Sequence, residues 1–222
     1  MEIQFLSSGL ELPDLLDADR RLKLLSAEEY DRIPAPNLRL WCHTYARYGL
    51  PTVELVQWLR GIIAGRKAIE IGSGSGDLAH YLGIPATDNR MQEWPVIKFH
   101  YLITGQPVIQ YPDSVRNLDA VEAVEHYRPQ VVVASWVTEW IDPNLPPPPG
   151  RGNAWGVKED KILASGCTYI LIGNQKVHGG KKIMALEHRE YALPFLRSRA
   201  TFPQLDRVWI WNGTQKEVPP VA

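Results

Sequence analysis

Residues 68–88 read AIEIGSGSGDLAHYLGIPATD, and the reading of this stretch decides the fold. Ala68, Ile69 and Ile71 supply the continuous apolar run of a strand covered on both faces. Gly72, Gly74 and Gly76 follow at spacings of two. Glycine allows positive φ and lets a ligand lie against bare backbone, because no Cβ intervenes. From Asp77 onward, Leu78, Ala79, Tyr81 and Leu82 predict the first turns of a helix whose free N–H groups point back at the turn. A second short strand then ends on Asp88. Such a strand, turn, helix and strand suit a nucleotide-like ligand.

The dinucleotide fingerprint G-x-G-x-x-G needs a third glycine for close packing of helix on strand. Counted from Gly72 that place holds Asp77, so the match fails. The stretch instead resembles the first motif of the class I S-adenosylmethionine-dependent methyltransferases, acidic-x-G-x-G-x-G, and Glu70 to Gly76 fills every place of it. That cofactor has no diphosphate; it carries a sulfonium and an ammonium, which the carboxylates of Glu70 and Asp77 would favour. The resemblance implies cofactor contacts from Glu70, Gly72, Ser73, Gly74, Gly76, Asp77 and Asn89, and from Asp88 at the ribose hydroxyls. A carboxylate can accept two such hydrogen bonds, and Asp88 can equally cap the helix that follows. It further implies that an acidic residue after the third strand, with the next residue's backbone, meets the adenine; by position these are Asp113 and Ser114.

The 222 residues suffice for one domain with a substantial core. A formal net charge of −1 removes any global pull toward nucleic acid or an anionic membrane. Residues 1–150 nevertheless carry 13 Lys+Arg against 19 Asp+Glu, while 151–222 carry 11 against 6, so the C-terminal third is basic. Cys42 and Cys167 lie far apart without metal-ligand spacing; buried, reduced thiols and no metal site are expected. MEIQFLSSGLELPD has neither a basic nor an apolar leader region, and no run approaches membrane-spanning length, which predicts a cytoplasmic protein.

Alternation of strands and helices predicts an α/β fold: a three-layer αβα sandwich with a mostly parallel, doubly wound sheet and an N-terminal helical extension. Residues 1–49 are assigned to that arm, with a capping box at Ser26–Glu29 and a stop at Pro34 and Pro36, and residues 50–222 to the cofactor-binding domain. Leu55, Leu59, Ile62 and Ile63 form the apolar stripe of a helix just before the first strand. Further elements expected are a helix within Asn89–Gly105, a third strand at Val108–Tyr111, and a helix over Asp119–Tyr127. A fourth strand at Val131–Trp136, a helix ending near Gly166 and a fifth strand at Cys167–Gly173 follow. Pro146–Pro149 reads as a stiff extended loop, Asn174–Lys182 as a flexible basic loop, Ile183–Arg199 as partly helical, and Arg207–Asn212 as the last strand. The terminal two-strand hairpin usual in the resembling fold is not evident.

In an open α/β sheet, ligands bind beyond the carboxyl ends of the strands where strand order reverses. Methyl transfer from a sulfonium is an in-line displacement, so a protein must chiefly align donor and acceptor and exclude water. Candidate residues at the transfer are Ser135, Trp136, Thr138 and Glu139 after the fourth strand and His178 after the fifth. Trp136 could wall the sulfonium by cation–π attraction, and Glu139 or His178 could act as a base. The expectation is an S-adenosylmethionine-dependent methyltransferase, with S-adenosylhomocysteine as product, of an unidentified small-molecule or protein acceptor. Two alternatives stay open. One is a nucleic-acid methyltransferase that holds phosphates with Lys176, Lys181, Lys182, Arg197 and Arg199; the other is a non-catalytic cofactor-binding scaffold.

Overall fold

The structure, a computed structural model, describes residues 11–144 and 152–211. The proline run Pro146–Pro149 and Asn212 lie outside the described residues. Helix α1 (Ala27–Asp31) opens with the expected capping box, Ser26 accepting from the Glu29 N–H while the Glu29 carboxylate accepts from the Ser26 N–H. Pro34 and Pro36 do more than stop it. They begin α2 (Ala35–Thr44), where a proline in the first turn lacks only an N–H that would have been unpaired. Strand β1 (Gly49–Leu50) leads to Thr52, whose hydroxyl caps α3 (Val53–Ile63). Leu15, Leu22, Tyr30, Trp41, Cys42 and Leu50 give this N-terminal part a small core of its own.

The chain then alternates. Strand β2 (Ala68–Ile71), α4 (Asp77–Leu82), β3 (Ala86–Asp88), α5 (Pro95–Ile103) and β4 (Val115–Asn117) run outward. Helix α6 (Ala120–Tyr127), β5 (Val131–Ser135), α7 (Glu159–Ala164), β6 (Thr168–Asn174) and α8 (Gln175–His178) run the other way. Strands β7 (Arg189–Tyr191), β8 (Arg197–Ser198) and β9 (Asp206–Trp211) complete the described chain. One seven-stranded sheet has the order β4-β3-β2-β5-β6-β9-β7, so strand order reverses between β2 and β5. The first five strands of that order are mutually parallel, and β9 pairs antiparallel with both β6 and β7. Strands β1 and β8 form a separate antiparallel ribbon.

Period-two alternation splits the sheet residues between two covers. Val131, Val133, Ile170 and Ile172 pack with Leu55, Leu59 and Leu78 of α3 and α4, whereas Ile69, Ile71, Val132, Ala134 and Leu171 pack with Ala123, Val124 and Ile162 of α6 and α7. Helices therefore lie on both faces of a mostly parallel mixed sheet. Both cysteines are buried free thiols. No helix among the described residues is long and apolar enough to cross a membrane.

Three expected elements differ. Val108–Tyr111 is not a strand; the third strand is β4, beyond Asp113. Pro107 and Pro112 bound that run and lack the N–H that a ladder requires, and the Ile109 N–H goes to Gln92 Oε1 at 2.8 Å. The Asn174–Lys182 loop contains α8, capped by Asn174, whose side chain accepts from the Lys176 N–H. Ile183–Arg199 is not helical beyond a 3-10 turn at Lys182–Ala185; it forms β7 and β8. Strand β7 supplies the terminal antiparallel pair with β9 that the sequence did not reveal.

Candidate functional site

Beyond the carboxyl ends of β2, β3 and β5 lies an open cleft of about 210 Å³. Its floor is the glycine turn. Gly72 has φ 56° and its missing Cβ would stand 2.6 Å from Val137 Cγ1; Gly76 has φ 72° and its Cβ would stand 2.8 Å from Val115 Cγ2. Both positions thus exclude any other residue without displacing a neighbour. The Gly74 N–H donates to Asp88 Oδ2 at 2.9 Å, which ties the turn to the end of β3. The hydroxyl oxygen of Ser73, buried at the same turn, has no hydrogen-bond partner among the described residues.

Three carboxylates surround this floor. Glu70 is 1% exposed, accepts the Ala79 N–H at 2.9 Å, and is pushed up to about 8 by burial, with Asp77 and Asp88 adding to the rise. Asp88 accepts from the Gly74 and Arg90 N–H groups; burial holds its carboxyl above the ordinary range against those bonds. Each of its oxygens has two lone pairs, so the carboxylate retains accepting capacity. Asp77 is more fully engaged: Arg47 Nε donates at 2.7 Å, the Ser75 hydroxyl at 2.6 Å and the Leu22 N–H at 3.2 Å. Arg47 also donates from Nη1 to the Tyr45 carbonyl, which leaves Nη2 without a partner among the described residues, at the wall of the cleft.

A second cavity, of about 580 Å³, adjoins the first. Tyr48, Trp136, Val137 and Thr138 line both. Trp136 follows β5 with φ 59°, a left-handed backbone that costs a bulky residue about 1–3 kcal/mol. Its N–H donates to the Ile172 carbonyl, and its ring meets His178 edge-on with centroids 5.2 Å apart. The surrounding structure therefore holds the indole at the junction of the two cavities. His178 is 3% exposed, its Nδ1 accepts the Asn174 N–H at 2.9 Å, and burial lowers it to about 3. Burial favours the neutral imidazole, whose Nδ1 also lies 3.2 Å from the Asn174 carbonyl. Glu139, also at the second cavity, accepts the Lys182 N–H at 3.1 Å.

Of the residues expected from the sequence, Glu70, Gly72, Ser73, Gly74, Asp77, Asp88, Asn89, Ser135 and Trp136 line the first cavity, and Gly76 lies beneath it in the same turn. Glu139 and His178 line the second, with Trp136. Asp113 and Ser114 do not join them; they are exposed and precede β4 instead of following it. The carboxyl end of β4 brings Asp119 and Ala120 to the first cavity in their place. The order strand, then acid, then helix was present at Asn117–Ala120, but Asp119 also caps α6 and reads as nothing more. Arg47 was missed altogether, because only tertiary packing brings it to Asp77. Among the described residues no group of three His, Cys, Asp or Glu side chains could hold a metal ion.

No protein-family model matches the chain, and no curated protein matches it in sequence.

Proposed function

We propose that the chain is an S-adenosylmethionine-dependent methyltransferase of the class I type. The carrying observation is the joined pair of cavities at the point of strand reversal. One has a bare glycine floor and a carboxylate at the end of the next strand, and the other lies beyond Trp136. The closing antiparallel pair β7 and β9 supports the reading, since that fold ends in a two-strand hairpin.

The residues fit the cofactor. Ser73, whose buried hydroxyl has no partner among the described residues, and Gly72 and Gly74 line the cleft where the cofactor would lie. Asp88 would take ribose hydroxyls, Asp119 and the Ala120 backbone would meet the adenine, and Arg47 Nη2 would meet the amino-acid carboxylate. Glu70, buried beside the turn, would favour positive charge once ionised. When bound, S-adenosylmethionine supplies a methyl group on positive sulfur, which departs as a neutral thioether. Trp136 is held where its ring can wall that junction and keep water out. His178, with Nδ1 occupied and titrating near 3, suits support of Trp136 better than proton abstraction at neutral pH.

The nucleic-acid reading loses two of its five cations. Lys181 is buried in an ion pair with Glu159 at 2.8 Å, and Arg197 forks onto Asp31. Photolabelling with radioactive S-adenosylmethionine tests the proposal. Label is expected in the peptide spanning Tyr101 and Tyr111, which line the first cavity, and should vanish with excess S-adenosylhomocysteine; label displaced by NAD instead would refute it.

A further inference from the structure

We propose that the second cavity receives a small planar molecule bearing an anionic group, a carboxylate or a phosphate, held by Arg199 and Lys176. This rests on the methyltransferase reading, for which the cavity is the acceptor side. Arg199 lies over the ring of Tyr48 at 3.7 Å, and Lys176 over the ring of Phe202 at 4.1 Å. Neither makes an ion pair among the described residues. The other charged side chains lining the cavity are already engaged: Lys181 with Glu159, and Glu139 with the Lys182 N–H. Two cations thus face one hollow without an ion-pair partner, and a bound anion would supply one.

Local structure builds both halves of this arrangement. The antiparallel ribbon pairs Gly49 with Ser198, and the Arg199 N–H donates to the Tyr48 carbonyl at 3.0 Å, so cation and ring arrive together. Opposite them, buried Asn174 accepts the Lys176 N–H and donates to the Phe202 carbonyl, fixing the second cation to its ring. With Trp136, the rings of Tyr48 and Phe202 give flat apolar walls for a planar body. A volume of about 580 Å³ matches a small-molecule site. A nucleic-acid strand would need a row of solvent-facing cations. Arg197 and Lys181, which would extend such a row, are tied to Asp31 and Glu159.

The test follows the indole N–H of Trp136 in proton–nitrogen correlation spectra, identified by its loss in Trp136→Phe. Benzoate and phenyl phosphate are titrated as the two anion types, benzamide as the neutral match, and oligouridylate against uridine monophosphate. Benzoate or phenyl phosphate should move the signal where benzamide does not, and the one that binds tighter names the anion. Lys176→Gln and Arg199→Gln should each weaken that binding about tenfold, one lost charge-assisted contact, while melting as wild type does. Benzamide binding as well as benzoate would overturn the proposal, as would undiminished acid binding in both variants. Oligouridylate binding far tighter than the mononucleotide would also overturn it, in favour of a nucleic acid. Acid binding without any binding of S-adenosylmethionine would remove the cofactor reading and leave an anion site.

Discussion

Glu70 is a buried acid whose protonated form the fold favours. Its ordinary value of 4.5 rises to about 8, so the folded chain holds a proton there that the unfolded chain releases between those values. Its contribution to stability is therefore complete below about 4.5 and is lost as pH rises through 8. Glu70→Gln removes this dependence; the variant should melt several degrees above wild type at pH 9 and close to it at pH 5, read by thermal unfolding. Affinity for the positively charged cofactor should rise across the same interval in wild type and not in Glu70→Gln. Arg47 gives a second expectation. Decarboxylated S-adenosylmethionine should bind wild type at least tenfold more weakly than the intact cofactor, and Arg47→Lys should weaken only the intact one, by calorimetry. At this scale the motif was readable because Glu70, Gly72, Gly74 and Gly76 recur at spacings of two within one short stretch. Arg47 was not, since it reaches Asp77 across 30 residues through the packing of the N-terminal helices.

Among the elements, the anchoring of α7 on β6 offers the clearest test. Lys181 and Glu159 form an ion pair almost wholly removed from water, and the Tyr169 hydroxyl donates to the same Glu159 oxygen at 2.8 Å. The other Glu159 oxygen has no partner among the described residues, so the group has little to spare. Lys181→Ala leaves a buried carboxylate uncompensated and should cost about 3–5 kcal/mol in denaturant unfolding. Lys181→Met combined with Glu159→Gln should recover most of that loss. The elements that could be read from sequence were those whose pattern is local: the Ser26 capping box, the α3 stripe, and the Val-rich β5. Strand β4 escaped because only Val115 of its three residues is buried, while the more apolar Val108–Tyr111 is a loop from which Ile109 and Tyr111 line the cleft. Helix α5 was recognised from its apolar content, yet Val96, Phe99, Leu102 and Ile103 are exposed; composition marked the helix and could not orient it.

For the whole molecule, alternating strands and helices made the parallel sheet and its two helical covers legible from the sequence. The last part of the sheet depended on β7, a three-residue strand that gains its place by pairing with β9, and no local pattern announces it. The charge asymmetry along the chain also takes a spatial meaning. Among the described basic residues of the C-terminal third, Arg197 neutralises Asp31 of the arm, Lys181 neutralises Glu159 of α7 and Arg207 pairs with Glu190, while Lys176 and Arg199 line the second cavity. On the proposed function, the glycine-floored cleft binds an adenosyl sulfonium compound through Asp88. Isothermal calorimetry of S-adenosylmethionine, S-adenosylhomocysteine and NAD with wild type and Asp88→Ala measures this directly. Both adenosyl compounds should bind wild type, with affinity falling at least a hundredfold in Asp88→Ala as two hydrogen bonds to a charged group are lost. Tight binding of NAD with none of S-adenosylmethionine would contradict the account.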